Sequence, residues 1–390
     1  MVLLLIIADD FTGALDTGVQ FTSRGIQTQV VVNPEVDFAS HDTTVLVVDT
    51  ETRHLPASQA YDIVARLTEK AHKAGVRYIY KKTDSALRGN IGAELAAALK
   101  GSGEKQLSFI PAFPQIDRVT RQGIHYIGGT PVAESPFGKD PFEPVRYSRV
   151  TELIASQCGL SAASLPALTG GESIPEDKQI LVFDSESIED LCRTGRQLAK
   201  EGRLGVLAGC AGFAAVLPEL LGIDSGHFVP VPHLDPRLLV ICGSVNPITT
   251  AQMDYAEQKG FRRMRLSPRQ KLEPGYWQTE ESRELLASIE EMLSKYPRCI
   301  IETNDQGSNQ PTADYAAKLG IDRETLRVRI AGSLGQLVKG IFSSPSLGTI
   351  LMTGGDTLLQ CMNCLEVNEL EPICEMEKGI VLARFTYGGH

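Results

Sequence analysis

Short apolar runs rich in Val, Ile and Leu recur along the chain, and longer stretches with a helical period separate them. VLLLIIA (2–8), TQVVVN (28–33), TTVLVVDT (43–50), YIYKKT (78–83), LSFIPAF (107–113), QILVFD (179–184) and GVLAG (205–209) predict strands. Between them, SQAYDIVARLTEKAHKAG (58–75) predicts an amphipathic helix. The alternation predicts an α/β fold of mostly parallel strands joined by helical crossovers. HFVPVPHLDPR (227–237) breaks the pattern with three prolines and no helical period, and predicts a linker. Beyond it the alternation restarts. LLVICGS (238–244), CIIETN (299–304), GTILMTGG (348–355) and IVLARFTY (380–387) predict strands. ITTAQMDYAEQKG (248–260), RETLRVRIAGSLGQLVKGIF (323–342) and LLQCMNCLEV (358–367) predict helices. The expected organisation is two α/β domains, 1–226 and 238–390, with an active-site cleft between them.

Ligands of open α/β sheets sit beyond the carboxyl ends of strands, so the residues there carry the candidate chemistry. The first strand runs directly into Asp9 and Asp10, then Thr12-Gly13 opens a helix. An N-cap accounts for one of these carboxylates and leaves the other at the tip. VVDTETRHL (47–55) places Glu51 and Arg53 at a second tip, where a surface ion pair is the alternative reading. YIYKKTDSALRGNIGAEL (78–95) is the densest polar cluster: Lys81, Lys82, Thr83, Asp84, Ser85, Arg88 and Asn90 crowd the strand end before a helix expected near Ile91. A solvated charge run does not normally begin inside a strand whose alternate residues face a core. A fourth tip, FIPAFPQIDRVTRQGIHYIGG (109–129), adds Arg118 and Arg121, and SPFGKDPFEP (135–144) is a polar loop with Asp140. Arginine forks and lysine charges match a carboxylate, and aspartates bind hydroxyls. The first domain thus suits a small hydroxylated acid, with Asp10 and Asp84 as candidates for the general base.

The second domain shows a different pattern. LLVICGSVNPITTAQ (238–252) and ILMTGGDTLLQ (350–360) both run strand, glycine tip, helix. Free backbone N–H groups at a helix start suit phosphate, and glycines admit it close to the backbone. Asp356 is the candidate to hold Mg²⁺ or orient phosphates through it. There is no G-x-G-x-x-G, no G-x-x-x-x-G-K-[ST] and no H-E-x-x-H, and AGSLG (331–335) lies inside a helical period rather than at a nucleophile elbow.

Net charge is −10, which argues against nucleic-acid or anionic-membrane partners. No apolar run reaches spanning length. The opening LLLII lacks a basic leader, so a cytoplasmic location is expected. The eight cysteines are scattered, and the Cys361/Cys364 pair lacks the second pair a zinc site needs, so free thiols are expected.

IADDFTGALDTG, TETR, KKTDSALRGNIGAEL, IPAFP with its downstream PV-x-ES-x-F-x-x-DP, the GS-x(4)-T tip and TGGDT occur in that order. Together they resemble the four-carbon acid sugar kinases, which phosphorylate threonate, erythronate or 3-oxo-tetronate. The resemblance runs nearly the whole chain. It implies a sugar-acid domain followed by a nucleotide domain, and transfer of the ATP γ-phosphate to a hydroxyl of the acid with Mg²⁺. By motif, it places substrate on Asp10, Arg53, Lys82, Thr83, Asp84 and Ser85, with Arg88 beside them, and ATP on Ser244, Gly354, Gly355, Asp356 and Thr357. Two departures stand out: Ala86 precedes Leu87-Arg88-Gly89-Asn90, and the chain stops at FTYGGH, short of the glycine-rich segment with which members tend to end. The second departure leads us to expect an incomplete C-terminal end. A homodimer is compatible with this reading. Two other functions fit the same residues: a sugar-acid-binding protein with a decayed nucleotide site, and an ATP-independent lyase or isomerase using Asp10 and Lys82.

Overall fold

The computed structural model describes residues 1–140, 144–170, 172–224, 226–377 and 379–388. Of the polar loop at 135–144, residues 141–143 lie outside this set, as do the last two residues of FTYGGH. The chain divides into two compact units. The first takes Met1–Val231 with Glu369–Phe385, and the second takes Pro232–Asn368 with Thr386–His390.

In the first unit, strands β1 (Leu4–Ala8), β2 (Thr28–Val31), β3 (Val45–Asp49), β4 (Tyr78–Lys82) and β5 (Leu107–Ile110) alternate with helices α1 (Phe11–Thr22), α2 (Ala57–Lys73) and α3 (Ile91–Ser102). A small antiparallel sheet of β6 (Arg118–Arg121), β7 (Ile124–Ile127) and β8 (Thr130–Pro131) follows. Then come α4 (Val150–Gln157), β9 (Ala162–Leu165), β10 (Ile180–Phe183), α5 (Ile188–Lys200), β11 (Val206–Gly209) and two short helices, α6 (Ala211–Ala214) and α7 (Leu217–Leu220). β1 and β3 are buried at every position. They pair in parallel on adjacent registers, which is why they are continuously apolar rather than alternating.

The second unit holds β12 (Leu238–Cys242), α8 (Pro247–Gln258), β13 (Arg262–Arg265), α9 (Pro268–Leu272), α10 (Glu280–Lys295) and β14 (Arg298–Glu302). It continues through α11 (Gln310–Lys318), α12 (Arg323–Ile341), β15 (Thr349–Thr353) and α13 (Gly355–Leu365). Its sheet is parallel, in the order β13-β14-β12-β15. Val240, Cys242, Met253 and Ile300 form a buried cluster on it.

The chain then leaves that sheet. β16 (Glu369–Glu377) and β17 (Ile380–Arg384) form a hairpin, and β16 pairs antiparallel with β2 through Leu370 and Val30. Among the described residues the first sheet thus has ten strands, in the order β17-β16-β2-β3-β1-β4-β11-β5-β10-β9. Residues 238–390, expected as one domain, are therefore divided between the two units. The physical reason is that β16 alternates exposed and buried positions along ELEPICEME, which fits a half-covered edge partner for β2. No described helix is long and apolar enough to cross a membrane. Cys361 is buried in α13, and the cysteines are free thiols.

Candidate functional site

β1 lies between β3 and β4, with Ala8 in register with both Asp49 and Lys82. The tips that follow these strands are therefore brought close, although they are far apart in sequence. Arg53 is the hub. Its Nε donates to Asp9 Oδ2 at 2.8 Å and its Nη1 to Asp10 Oδ2 at 2.8 Å. Its Nη2 lies 2.7 Å from Asp10 Oδ1 and 4.0 Å from Asp84 Oδ1. Arg88 closes the other side as a bidentate fork, Nε and Nη2 donating to the two Asp84 oxygens at 2.9 and 3.0 Å. The backbone N–H groups of Ala86 and Arg88 also donate to Asp84 Oδ2.

Burial favours the neutral form of these carboxyls, and the cations oppose it. For Asp9, Arg53, Lys81 and Lys82 outweigh burial and hold the group below its ordinary value. For Asp84 they win by far more, because Arg53, Arg88 and Lys82 all face it, and the carboxyl lies far below the usual range. Burial disfavours the Arg53 charge, but Asp9, Asp10 and Asp84 raise its pKa well above the ordinary guanidinium value.

Successive β4 side chains point to opposite faces of the sheet, and this separates the two lysines. Lys81 is fully buried and pairs with Glu94 of α3 at 2.9 Å. Its Nζ also donates to the carbonyls of Ile7 at 3.2 Å and Lys82 at 2.7 Å. Lys82 turns toward α1. It is 5% exposed, and among the described residues its ammonium makes no hydrogen bond or ion pair. Gly13 leaves room for it: a Cβ there would sit 2.4 Å from Asp10 Oδ1 and 2.5 Å from Lys82 Nζ. Asp10 is also the N-cap of α1, accepting from the Gly13 N–H at 3.1 Å. The capping and chemical readings of this tip are thus compatible.

Three further side chains brace the loops. Asn90 Nδ2 donates to the carbonyls of Thr52 at 2.9 Å and Leu55 at 2.8 Å, tying the second tip to the third. His125 of β7 is fully buried between Thr120 and the Ser85 carbonyl, each 2.9 Å away. A carbonyl only accepts, so Nε2 carries the proton and Nδ1 accepts from the Thr120 hydroxyl. Burial pushes this imidazole down to about 4, so it stays neutral at physiological pH. Arg118 of β6 donates to the Ser85 hydroxyl and stacks on Phe137 at 5.1 Å. Like Lys82, it makes no ion pair with a carboxylate among the described residues. Arg121 goes elsewhere, to an exposed pair with Glu186. Among the described residues, the buried Asp9 Oδ1, Thr83 Oγ1 and Glu94 Oε1 have no hydrogen-bond partner.

The structure therefore brings Asp10, Arg53, Lys82, Thr83, Asp84, Ser85 and Arg88 to one place. Glu94, His125 and the bracing role of Asn90 were not singled out from the sequence. The GNIGAEL and IHYIGG segments contain these residues, but only the fold shows what each one holds.

The second unit builds its tip from backbone. Cys242 and Thr353 are in register, so the Gly243-Ser244 and Gly354-Gly355 turns adjoin. A Cβ on Gly243 would stand 1.9 Å from Thr357 Oγ1, so any side chain there would have to displace that hydroxyl. Gly354, with φ +110°, is the N-cap of α13 and has no side chain to cap it. The first N–H groups of the helix thus remain for an anion. Ser244 is held by Asn304, whose Nδ2 donates to its carbonyl at 2.9 Å. Asp356 pairs with Arg327 at 2.5 Å. Among the described residues no group of three or more His, Cys, Asp or Glu side chains is placed to hold a metal.

A family model described as a sugar-binding N-terminal domain matches residues 4–217, and one described as a nucleotide-binding C-terminal domain matches 239–389. A D-threonate kinase from Salmonella typhimurium (strain LT2) is 30% identical over 368 residues, spanning 90% of this chain and 84% of that protein. The chain belongs to the four-carbon acid sugar kinase family. A D-erythronate kinase from Heliobacterium modesticaldum is 24% identical and covers 94% of this chain and 87% of that protein. A crystal structure from Salmonella typhimurium LT2 shares the fold with a TM-score of 0.79 at 19% identity, over 99% of this chain and 93% of that one. The second family match includes the β16–β17 hairpin, which in space belongs to the first unit.

Proposed function

We propose that the protein is an ATP-dependent, cytoplasmic kinase that phosphorylates a hydroxyl of a four-carbon sugar acid. The observation that carries this reading is Lys82. Its ammonium is nearly buried and makes no ion pair within the described residues, although the charges of Asp9, Asp16 and Asp84 act on it, so it is placed to take a direct partner from outside the chain. Arg118 adds a second cation with only a neutral hydroxyl partner. The other cations of the cluster, Arg53, Arg88 and Lys81, are paired with the four carboxylates Asp9, Asp10, Asp84 and Glu94, which leaves Lys82 and Arg118 outside any ion pair among the described residues. The charge left over thus suits a small carboxylate, while the Thr83 and Ser85 hydroxyls and the Asp10 carboxylate suit its hydroxyls.

ATP goes to the glycine tips of the second unit. There the Gly243-Ser244 turn, the Gly354-Gly355 turn and the start of α13 would hold the phosphates. Mg²⁺ bound to phosphates needs only one or two protein carboxylates, so the lack of a larger acidic cluster is compatible with it. Asp356 in the first turn of α13 is the carboxylate for that role, and Arg327 competes for it. The ion would draw charge from the oxygens of the transferring group. Positioning and charge neutralisation then supply most of the rate.

The test is ADP release, in the presence of Mg²⁺, from threonate, erythronate, 3-oxo-tetronates and 4-hydroxythreonine. We expect turnover of at least one of these acids, dependent on both ATP and acid. Acid binding without ATP binding would favour a binding protein, and acid conversion without ATP a lyase or isomerase.

A further inference from the structure

We propose that Asp16 is the general base that takes the proton from the hydroxyl being phosphorylated. The assignment rests on the kinase reading above. It comes from asking which carboxylate of the cluster is still free to accept a proton. Asp9 and Asp10 are held by Arg53, and Asp84 by Arg88 through both of its oxygens. Glu94 is fully buried against Lys81 on the other face of the sheet. A carboxylate locked in a fork with arginine is a poor base, because protonating it discards the ion pair. Asp84, a candidate from the sequence, is the clearest such case.

Asp16 differs in each respect. It lies on α1 one turn beyond Gly13, the residue whose missing side chain opens the space between Asp10 and Lys82. It is half-buried, on the line Thr12, Asp16, Gln20, which is the less buried side of an otherwise buried helix. Among the described residues its carboxylate makes no hydrogen bond or ion pair, and Gln20 binds only its backbone carbonyl. The charged groups that face it come from four elements: Asp10 at the start of α1, Lys82 of β4, Arg118 of β6 and Glu375 of β16. These include both cations we assign to the substrate carboxylate, and Lys82 Nζ lies against Gly13, one turn before Asp16 on the same helix, so Asp16 is near the space we assign to the acid.

Its environment also suits the task. Burial, aided by Asp10 and Glu375 and opposed by Lys82 and Arg118, raises its carboxyl to about 6. A base is most effective when its pKa lies near the working pH. In the step, the Asp16 carboxylate accepts the hydroxyl proton as the substrate oxygen bonds to the γ-phosphorus of ATP. The bond from that phosphorus to the β–γ bridging oxygen breaks, and its electron pair leaves with ADP.

The experiment is steady-state ADP release between pH 5 and 9, using the tetronate that the wild type turns over best. It compares wild type, Asp16→Asn and Glu375→Gln, with Asp16→Ser as a second variant should the asparagine form fail to fold. We expect wild-type kcat/KM to fall as pH drops through about 6, because Asp16 becomes protonated. Asp16→Asn should lower kcat by about 10²–10⁴, leave the KM for the acid nearly unchanged and abolish the acidic limb. Glu375→Gln should move that limb to lower pH, since it removes a like charge. The assignment is overturned if Asp16→Asn keeps kcat within about tenfold of wild type, below the range for a general base, if it keeps the acidic limb, or if its defect lies in KM alone. A wild type that turns over no tetronate sinks the kinase reading and the base with it. An active wild type with an unimpaired Asp16 variant sinks only the base.

Discussion

The two strand-tip clusters, which we propose as the sites of the acid and of the nucleotide phosphates, are built in opposite ways. At β1, β3 and β4 the groups are side chains, mostly charged and mostly buried, and nearly all are tied to one another. At β12 and β15 the groups are backbone N–H at glycine turns and a helix start. The side-chain site pays for its selectivity with an extensive set of ion pairs, because a buried charge must be matched. The backbone site needs no such matching, since its partial charges come with the peptide. A terminal phosphate looks alike on every nucleotide, so a generic cradle suffices. A small acid must be distinguished by the placement of its carboxylate and hydroxyls, which takes individual side chains.

The comparison can be broken most forcefully at Glu94. Replacing it with alanine strands the Lys81 charge in the core and should cost about 3–5 kcal/mol of stability, seen in denaturant unfolding. The double variant Lys81→Met/Glu94→Leu should recover most of that loss. If the single variant is as stable as the wild type, the ion pairs of the first cluster are not what holds it together. Next is Lys82→Met, which removes the unmatched cation and leaves every ion pair in place. It should lower kcat/KM for the acid by about 10²–10³, the cost of losing one buried charged partner, with the KM for ATP unchanged. An equal rise in both KM values would show that the two clusters are not separable in function. The smallest effect is expected at Gly243→Ala, whose new Cβ would displace the Thr357 hydroxyl. Losing about one hydrogen bond's worth of phosphate binding should raise the KM for ATP roughly tenfold and spare the acid. Unchanged ATP kinetics would remove the glycine tip from the nucleotide site.

Much of this was legible in the sequence, and unevenly so. Continuous apolar runs located β1, β3 and β12 because central parallel strands are buried on both faces. The hydrophobic pattern does not single out β9, β13, the small β6–β8 sheet, α10 or β16. Several of these are short strands, and β16 alternates exposed and buried positions, which is a weaker signal than a continuous run. The residues named from the first cluster come together in one place in space. Their individual commitments were not visible. Arg121, counted with Arg118, turns to Glu186 on the surface. Asp16, the third aspartate of IADDFTGALD, was not among the candidates, because a lone aspartate in a helix looks like an ordinary solvated position.

The sequence by itself determined where the chain would turn polar after each strand, since an apolar run ending in charged residues or glycines is a local signal. It also carried the family, through motifs kept in order along the chain. The tertiary structure alone decided which charges neutralise one another and which remain. Asp9 and Arg53 are 44 residues apart, Asp16 and Glu375 belong to α1 and β16, and the two neighbouring lysines of β4 face opposite sides of a sheet. Pairing depends on distances of a few ångströms and on burial, and the fold sets both.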